Sequence, residues 1–183
     1  MPDEPTEKSR DFVARALKHI TSDRGAAAAL RRGLSESTRH YAYSHVIACG
    51  GRLTKGDDRR YDNPVDITIA ALMAVHPRYS EKAGNFGHVC RKLREQHESF
   101  DARFRRLLSC RHAGELCEHL KGFVLAAKQR DNLPVDYARL RDDATRWHWE
   151  STRVCWAEAY WGADEAKAKA EAAAAEAEAK AEV

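Results

Sequence analysis

The chain has no run of about 18 or more apolar residues, the least that a bilayer-spanning helix requires, so no membrane span is expected. Its opening, MPDEPTEKSRD, is acidic and polar and lacks an apolar signal core, so export is not expected. The five cysteines are odd in number and form no C-x-x-C pair. With no sign of export, free thiols in a reducing cytoplasm are expected. No strand emerges either, because the β-branched residues sit inside helical spacing. The sequence also lacks G-x-x-x-x-G-K-[ST], H-E-x-x-H and G-x-S-x-G, which removes the familiar signatures of a phosphate loop, a metalloprotease and a serine hydrolase. Asp142 and Asp143 are adjacent and point to different helix sectors, unlike a metal-binding acid pair. Cys110, His112, Cys117 and His119 form two Cys-x-His pairs, and i, i+2 positions on a helix diverge by about 200°, too far to chelate one ion readily. His148, between Trp147 and Trp149, has no nucleophile motif beside it. No catalytic residue, metal ligand or cofactor is expected.

What the chain does have is an uneven distribution of positive charge. Its 31 Lys+Arg and 28 Asp+Glu give a net +3. From Asp164 to Val183 there are 6 acids and 3 bases, which leaves +6 on residues 1–163. From Arg91 to Arg130 there are 10 bases and 5 acids. A basic surface of this kind attracts nucleic acid, acidic protein surfaces or anionic lipid.

The apolar pattern is helical throughout. Residues 1–8 are expected to be disordered, 9–161 to form one helical domain, and 162–183 to be a low-complexity Ala/Glu/Lys tail that is helix-prone without an apolar stripe. Phe12, Ala16, Leu17 and Ile20 share one face of a first helix, and RGAAAALRRGL is a short second one that Gly33 stops. Ser37 to Cys49 reads as a third, with Tyr41, Ala42, His45, Val46 and Cys49 inward, followed by a mobile loop over Gly50–Asn63. Asn63-Pro64 starts a helix that is apolar almost all round and therefore central, and His76-Pro77 ends it. Another helix spans Phe86 to Gln96. Phe100, Phe104, Leu107 and Leu108 mark the next, and Leu116, Leu120, Phe123, Val124 and Ala127 the one after. The spacing predicts a hairpin of these last two, turning at Gly114, with its apolar seam inward and arginines outward. A final helix from about Asp136 to Trp161 carries a seam of Tyr137, Leu140, Ala144, Trp147, Ser151 and Val154. It holds all four tryptophans, read as closing the bundle rather than stacking on bases. The fold class is all-α, a bundle of about seven or eight helices packed ridge into groove.

Arg103 and Arg106 lie one turn apart, and Lys121 and Lys128 two turns apart, so each pair lines one helical face where it can follow a phosphate backbone. Guanidinium offers phosphate planar, bidentate bonds. Internal pairing, such as Asp101 with Arg105, competes for some of these side chains.

In order along the chain, RGAAAALRRGL, ALMAVHP, NFG (Asn85–Gly87), FDARFRRLLSC, LPVDYARLRDDATRW and WAEAYW resemble CasB, the small subunit of the type I-E CRISPR Cascade complex. The resemblance covers residues 10–161, not the Ala/Glu/Lys tail. It implies a non-catalytic, all-helical, cytoplasmic subunit in antiviral defence. Two copies would sit along a crRNA-guided complex, touching its backbone and large subunits and each other. They would hold the target or displaced DNA strand of the R-loop, with the crRNA engaged only indirectly. The DNA-contacting positive surface would fall on Arg24, Arg31, Arg32, Arg103, Arg105 and Arg106, and further on Lys121, Lys128, Arg130, Arg141 and Arg146. The competing readings are a purely structural helical adaptor whose basic face binds acidic partner proteins, and a free-standing helical RNA-binding or regulatory protein.

Overall fold

The structure is a computed structural model that describes residues 4–53, 64–95 and 99–162. The Ala/Glu/Lys tail from residue 163, the larger part of the expected Gly50–Asn63 loop and residues 1–3 lie outside the described residues.

Thr6 starts the fold. Its side chain accepts the backbone N–H of Ser9 and caps α1 (Glu7–Ser22), so the ordered chain begins earlier than the acidic, proline-bearing opening suggests. Asp23 then caps α2 (Arg24–Arg32), accepting the Gly25 N–H at 2.7 Å. A single residue thus separates the two helices. The expected third helix is two pieces, a 3₁₀ stretch over Glu36–Ala42 and α3 (Tyr43–Ala48). In 3₁₀ geometry three residues make a turn, so a 3.6-residue count loses phase across it. Ala42, Val46 and Cys49 are buried as expected, but Tyr41 turns outward and is 48% exposed.

α4 (Val65–Val75) buries ten of its eleven residues, Asp66 among them. Helices α1 and α2 pack against it, as do two that follow later in the chain. α5 (Phe86–Arg94), α6 (Ser99–Leu108) and α7 (Ala113–Gln129) come next. The turn between α6 and α7 comes before Gly114, because His112 already caps α7 through Nδ1. Asp131 and Asn132 adopt left-handed φ values of 48° and 50° and reverse the chain after α7. Side chains of these two types tolerate that conformation better than most. α8 (Tyr137–Thr145) is capped by Asp136. It is α7 and α8 that complete the packing around α4.

The long final helix expected from the sequence is interrupted. A turn at residues 146–149 separates α8 from α9 (residues 150–162). Trp147 drops into the core, where its indole N–H donates to Cys110 O at 2.9 Å, and the Thr152 hydroxyl donates to Arg146 O. The seam is rephased as a result. Thr152, Trp156 and Tyr160 are buried, whereas Ser151 and Val154 are exposed. With this break there are nine α-helices among the described residues and no strand, only an isolated bridge of Tyr79 with Val135. No described helix is long and apolar enough to cross a membrane.

Aromatic side chains fill the space between α5, α6, α7 and α9. Phe104 stacks on Tyr160 at 3.9 Å, Phe86 meets Trp156 at 5.4 Å and Phe100 meets Phe123 at 5.9 Å. The apolar edge of α6 is therefore shared between α7 and α9.

Candidate nucleic-acid interface

α6 buries Phe100, Phe104 and Leu107, and that fixes where its arginines go. The Arg103 guanidinium lies over the rings of Phe100 and Phe123, at 4.7 and 5.1 Å from their centroids. It rests on α7 at Gly122, where an added Cβ would come within 2.8 Å of its Nη2. Aromatic faces hold the flat side of a guanidinium and leave its N–H edge to water or an anion. Arg105 is held differently. Its Nε donates to Asp101 at 2.7 Å and its guanidinium covers the Trp161 ring at 5.0 Å. The Arg105 hydrogen bond, helped by one from the Trp161 indole, keeps the Asp101 carboxyl below its usual range. Arg106 is exposed, and neither it nor Arg103 meets a carboxylate among the described residues.

Two neighbouring segments extend this edge. The bond from Trp147 to Cys110 seats the α8–α9 turn on the loop that leaves α6. In that loop Cys110 and Ser109 bond back to Arg106 O, and the exposed Arg111 follows. Arg146, in the turn, lies 5.8 Å from the Trp149 ring centroid. On α7, Lys121 is exposed beside Gly122 and lines a cleft of about 460 Å³ together with Arg39, Glu36 and Glu118.

Three other cations named from the sequence sit at helix ends. Arg31 Nε donates to Ala74 O at 2.9 Å and Lys128 Nζ to Val75 O at 2.8 Å, both on the last turn of α4. Arg130 Nη1 donates to Leu93 O on α5. Unpaired carbonyls and the negative end of the helix dipole favour cations at such positions. Arg24 is exposed at the start of α2, and Arg32 lies 4.6 Å over the Tyr41 ring.

Arg141 does not reach the surface edge. It forms a bidentate pair with Asp66 (2.7 and 3.1 Å) and donates to Ser9 Oγ at 2.7 Å. Its side chain is 15% exposed. The sequence placed it among the surface arginines because its partner lies 75 residues away.

Sequence reasoning also missed Trp149. Trp147 and Trp156 are buried and Trp161 half-buried, but Trp149 is 50% exposed. Reading one uninterrupted helix hid this, since only the break at residues 146–149 releases the ring from the bundle. Among the described residues no three His, Cys, Asp or Glu side chains are grouped to hold a metal ion. Burial pushes the Cys90 thiol well above its ordinary range, raises Cys117 to about 12 and raises Cys110 to about 11.

Comparison with known proteins decides the family. The family model for CRISPR-associated protein Cse2 matches residues 26–161. The chain belongs to the Cse2 family. This family, also called CasB, is that of the small subunit of type I-E Cascade. The fold is similar to that of a CRISPR-associated protein of the Cse2 family from Thermus thermophilus, at 24% identity with a TM-score of 0.67, covering 84% of this chain and 97% of that one. A second structure, CasB from Thermus thermophilus, is 26% identical with a TM-score of 0.62 over the same shares, and CasB from M. ruber is 22% identical with a TM-score of 0.67, covering 90% of this chain and 98% of that one. A comparison with curated protein sequences finds no match.

Proposed function

We propose that this Cse2-family chain is a non-catalytic, cytoplasmic Cascade subunit that stabilises the R-loop through sequence-independent contacts of its basic surface with a DNA strand. Two copies lie in the complex and bridge its backbone and large subunits. The observation that carries the reading is the pair Arg103 and Arg106. They stand one turn apart on α6, outward, without an acid partner among the described residues, and in Arg103 the guanidinium is oriented by two phenyl rings. RNA-guided complexes leave sequence reading to base pairing, so a protein subunit needs only to track phosphates. Arg105 lies between them on α6, tied to Asp101, and Lys121 and Arg146 add charge from α7 and from the α8–α9 turn. Arg24 and Arg32 form a second, separate candidate on α2, and Arg31, Lys128 and Arg130 contribute charge from helix ends.

The test is R103E/R106E in a reconstituted complex. The variant is expected to fold and to assemble without DNA as wild type does, because neither side chain makes an ion pair among the described residues. Target DNA is expected to dissociate faster, and the salt slope of binding to become shallower by about 1.4 to 1.8 for two lost phosphate contacts. Unchanged DNA retention removes these two sites from the interface. Loss of assembly before DNA is added supports instead the adaptor reading, in which the same arginines meet acidic partner proteins.

A further inference from the structure

We propose that Trp149 is a stacking platform for an unpaired nucleobase of the strand whose phosphates the α6 edge engages; the inference rests on that reading of the edge. The break between α8 and α9 puts two tryptophans, two residues apart, on opposite sides of the surface. Trp147 is 1% exposed and anchored to Cys110 O, while Trp149 is 50% exposed. Trp149 N donates to Arg146 O at 2.8 Å and Trp149 O accepts from Thr152 N at 3.3 Å. The ring is thus presented on a short, hydrogen-bonded turn that is fixed to the core, and its platform is organised before any ligand arrives.

The surroundings select the occupant. Arg146 lies 5.8 Å from the ring centroid, and the His148 ring meets it edge-on at 5.7 Å. Arg153 is on the first turn of α9, and through the Trp147 bond the whole turn sits on the loop that carries Arg111 and follows Arg106. The acids here are Glu150 in the same stretch and Asp143, which lies near Arg146 but accepts the Trp156 indole N–H, while Arg146 Nε donates to Asp142 O. The fully buried core of a protein interface is more apolar than the rest of the surface. Here Val154 is the only other large hydrophobic exposed on α9 among the described residues, and the other exposed ones, Tyr41, Tyr43 and Ile47, belong to the 3₁₀ stretch and α3. An aromatic face set among cations beside a phosphate-tracking ridge matches the chemistry by which single strands are held, with bases on rings and phosphates on cations. It does not match a dry protein contact.

The experiment measures binding of the full chain at low salt to two fluorescent probes, an oligothymidylate and an abasic strand of equal length and charge. W149A is expected to bind oligothymidylate about 5- to 150-fold more weakly, the range for one lost base–aromatic stack, and to bind the abasic strand as wild type does. W149F is expected to stay close to wild type on both. The salt slope is expected to be unchanged in W149A, since no phosphate contact is removed. Equal binding by W149A and wild type to both strands overturns the proposal, as does an equal loss on both, which marks a general electrostatic or structural effect. If wild type itself binds neither strand, the reading of the α6 edge fails and this inference fails with it. If W149A drops out of the reconstituted complex in the absence of nucleic acid, Trp149 is a protein contact and the proposal is wrong.

Discussion

Arg105 and Arg106 are neighbours in sequence and differ in what holds them. One is drawn along the helix to Asp101 and over Trp161, while the other projects without an acid beside it among the described residues. Arg141 goes further and becomes an interior group. Asp136 shows the same dependence on surroundings for a carboxylate. It caps α8, yet it is 4% exposed, and burial raises its pKa to about 6 against the backbone hydrogen bonds that oppose the shift. The ordinary Asp value is about 3.9. Between those two values the folded chain holds the proton more tightly than the unfolded chain, so this group's contribution to stability is greatest below about pH 4 and declines as pH rises through about 6. D136N keeps a capping side chain without the charge. It is expected to be more stable than wild type at pH 7 by roughly 1–3 kcal/mol, with the advantage gone near pH 4. Urea unfolding at the two pH values measures this, and a difference independent of pH assigns the effect to something other than ionisation.

At the scale of elements, the short NFG segment explains how α5 meets α9. Asn85 Nδ2 donates to Cys155 O at 3.0 Å, Phe86 packs on Trp156, and Gly87 lies so close to α9 that an added Cβ would clash with Trp156 O and fall 3.0 Å from the Ala159 Cβ. Three consecutive residues thus seat one helix on another. G87A is expected to destabilise the fold by about 1–3 kcal/mol, read as a lower urea midpoint. An unchanged midpoint means that α9 moves aside at no cost. Most helices were legible from apolar spacing, because each buries one continuous stripe; the stripe of α7 is an example, with all five expected residues buried. The α8–α9 break was not legible. RWHWE holds no glycine or proline, and the turn arises from Trp147 finding Cys110 O, a contact 37 residues distant. Tyr41 was misplaced for a related reason, since spacing does not distinguish a 3₁₀ turn from an α turn. For the candidate interface, the positions of the cations were legible and their partners were not. Arg31 and Lys128, far apart in sequence, meet consecutive carbonyls at the end of α4.

For the whole molecule, Asp66 and Asp142 are two of the points where distant parts of the chain are joined. Asp66 on α4 holds Arg141 of α8 and the backbone N–H of Arg52. Asp142 accepts from Thr6 N, Thr6 Oγ1 and Ser9 Oγ. Removing one partner of a buried ion pair leaves the other charged and desolvated, at a cost of about 3–5 kcal/mol, whereas replacing both with apolar side chains is far milder. D66N is therefore expected to lower the unfolding free energy by an amount in that range, and D66L/R141M by less than D66N alone, as measured by urea denaturation. A double variant worse than the single one shows that the pair supplies net stability beyond mutual neutralisation.

The joining of Thr6 and Ser9 to Asp142 has a consequence for the order of events at the ribosome. Helix α1 has its anchor more than 130 residues later in the chain, and such non-local closures are slow to form. A nascent chain that stops short of Asp142 leaves α1 with nothing to dock on at that end. Native closure at this end of α1 must therefore await the synthesis of α8.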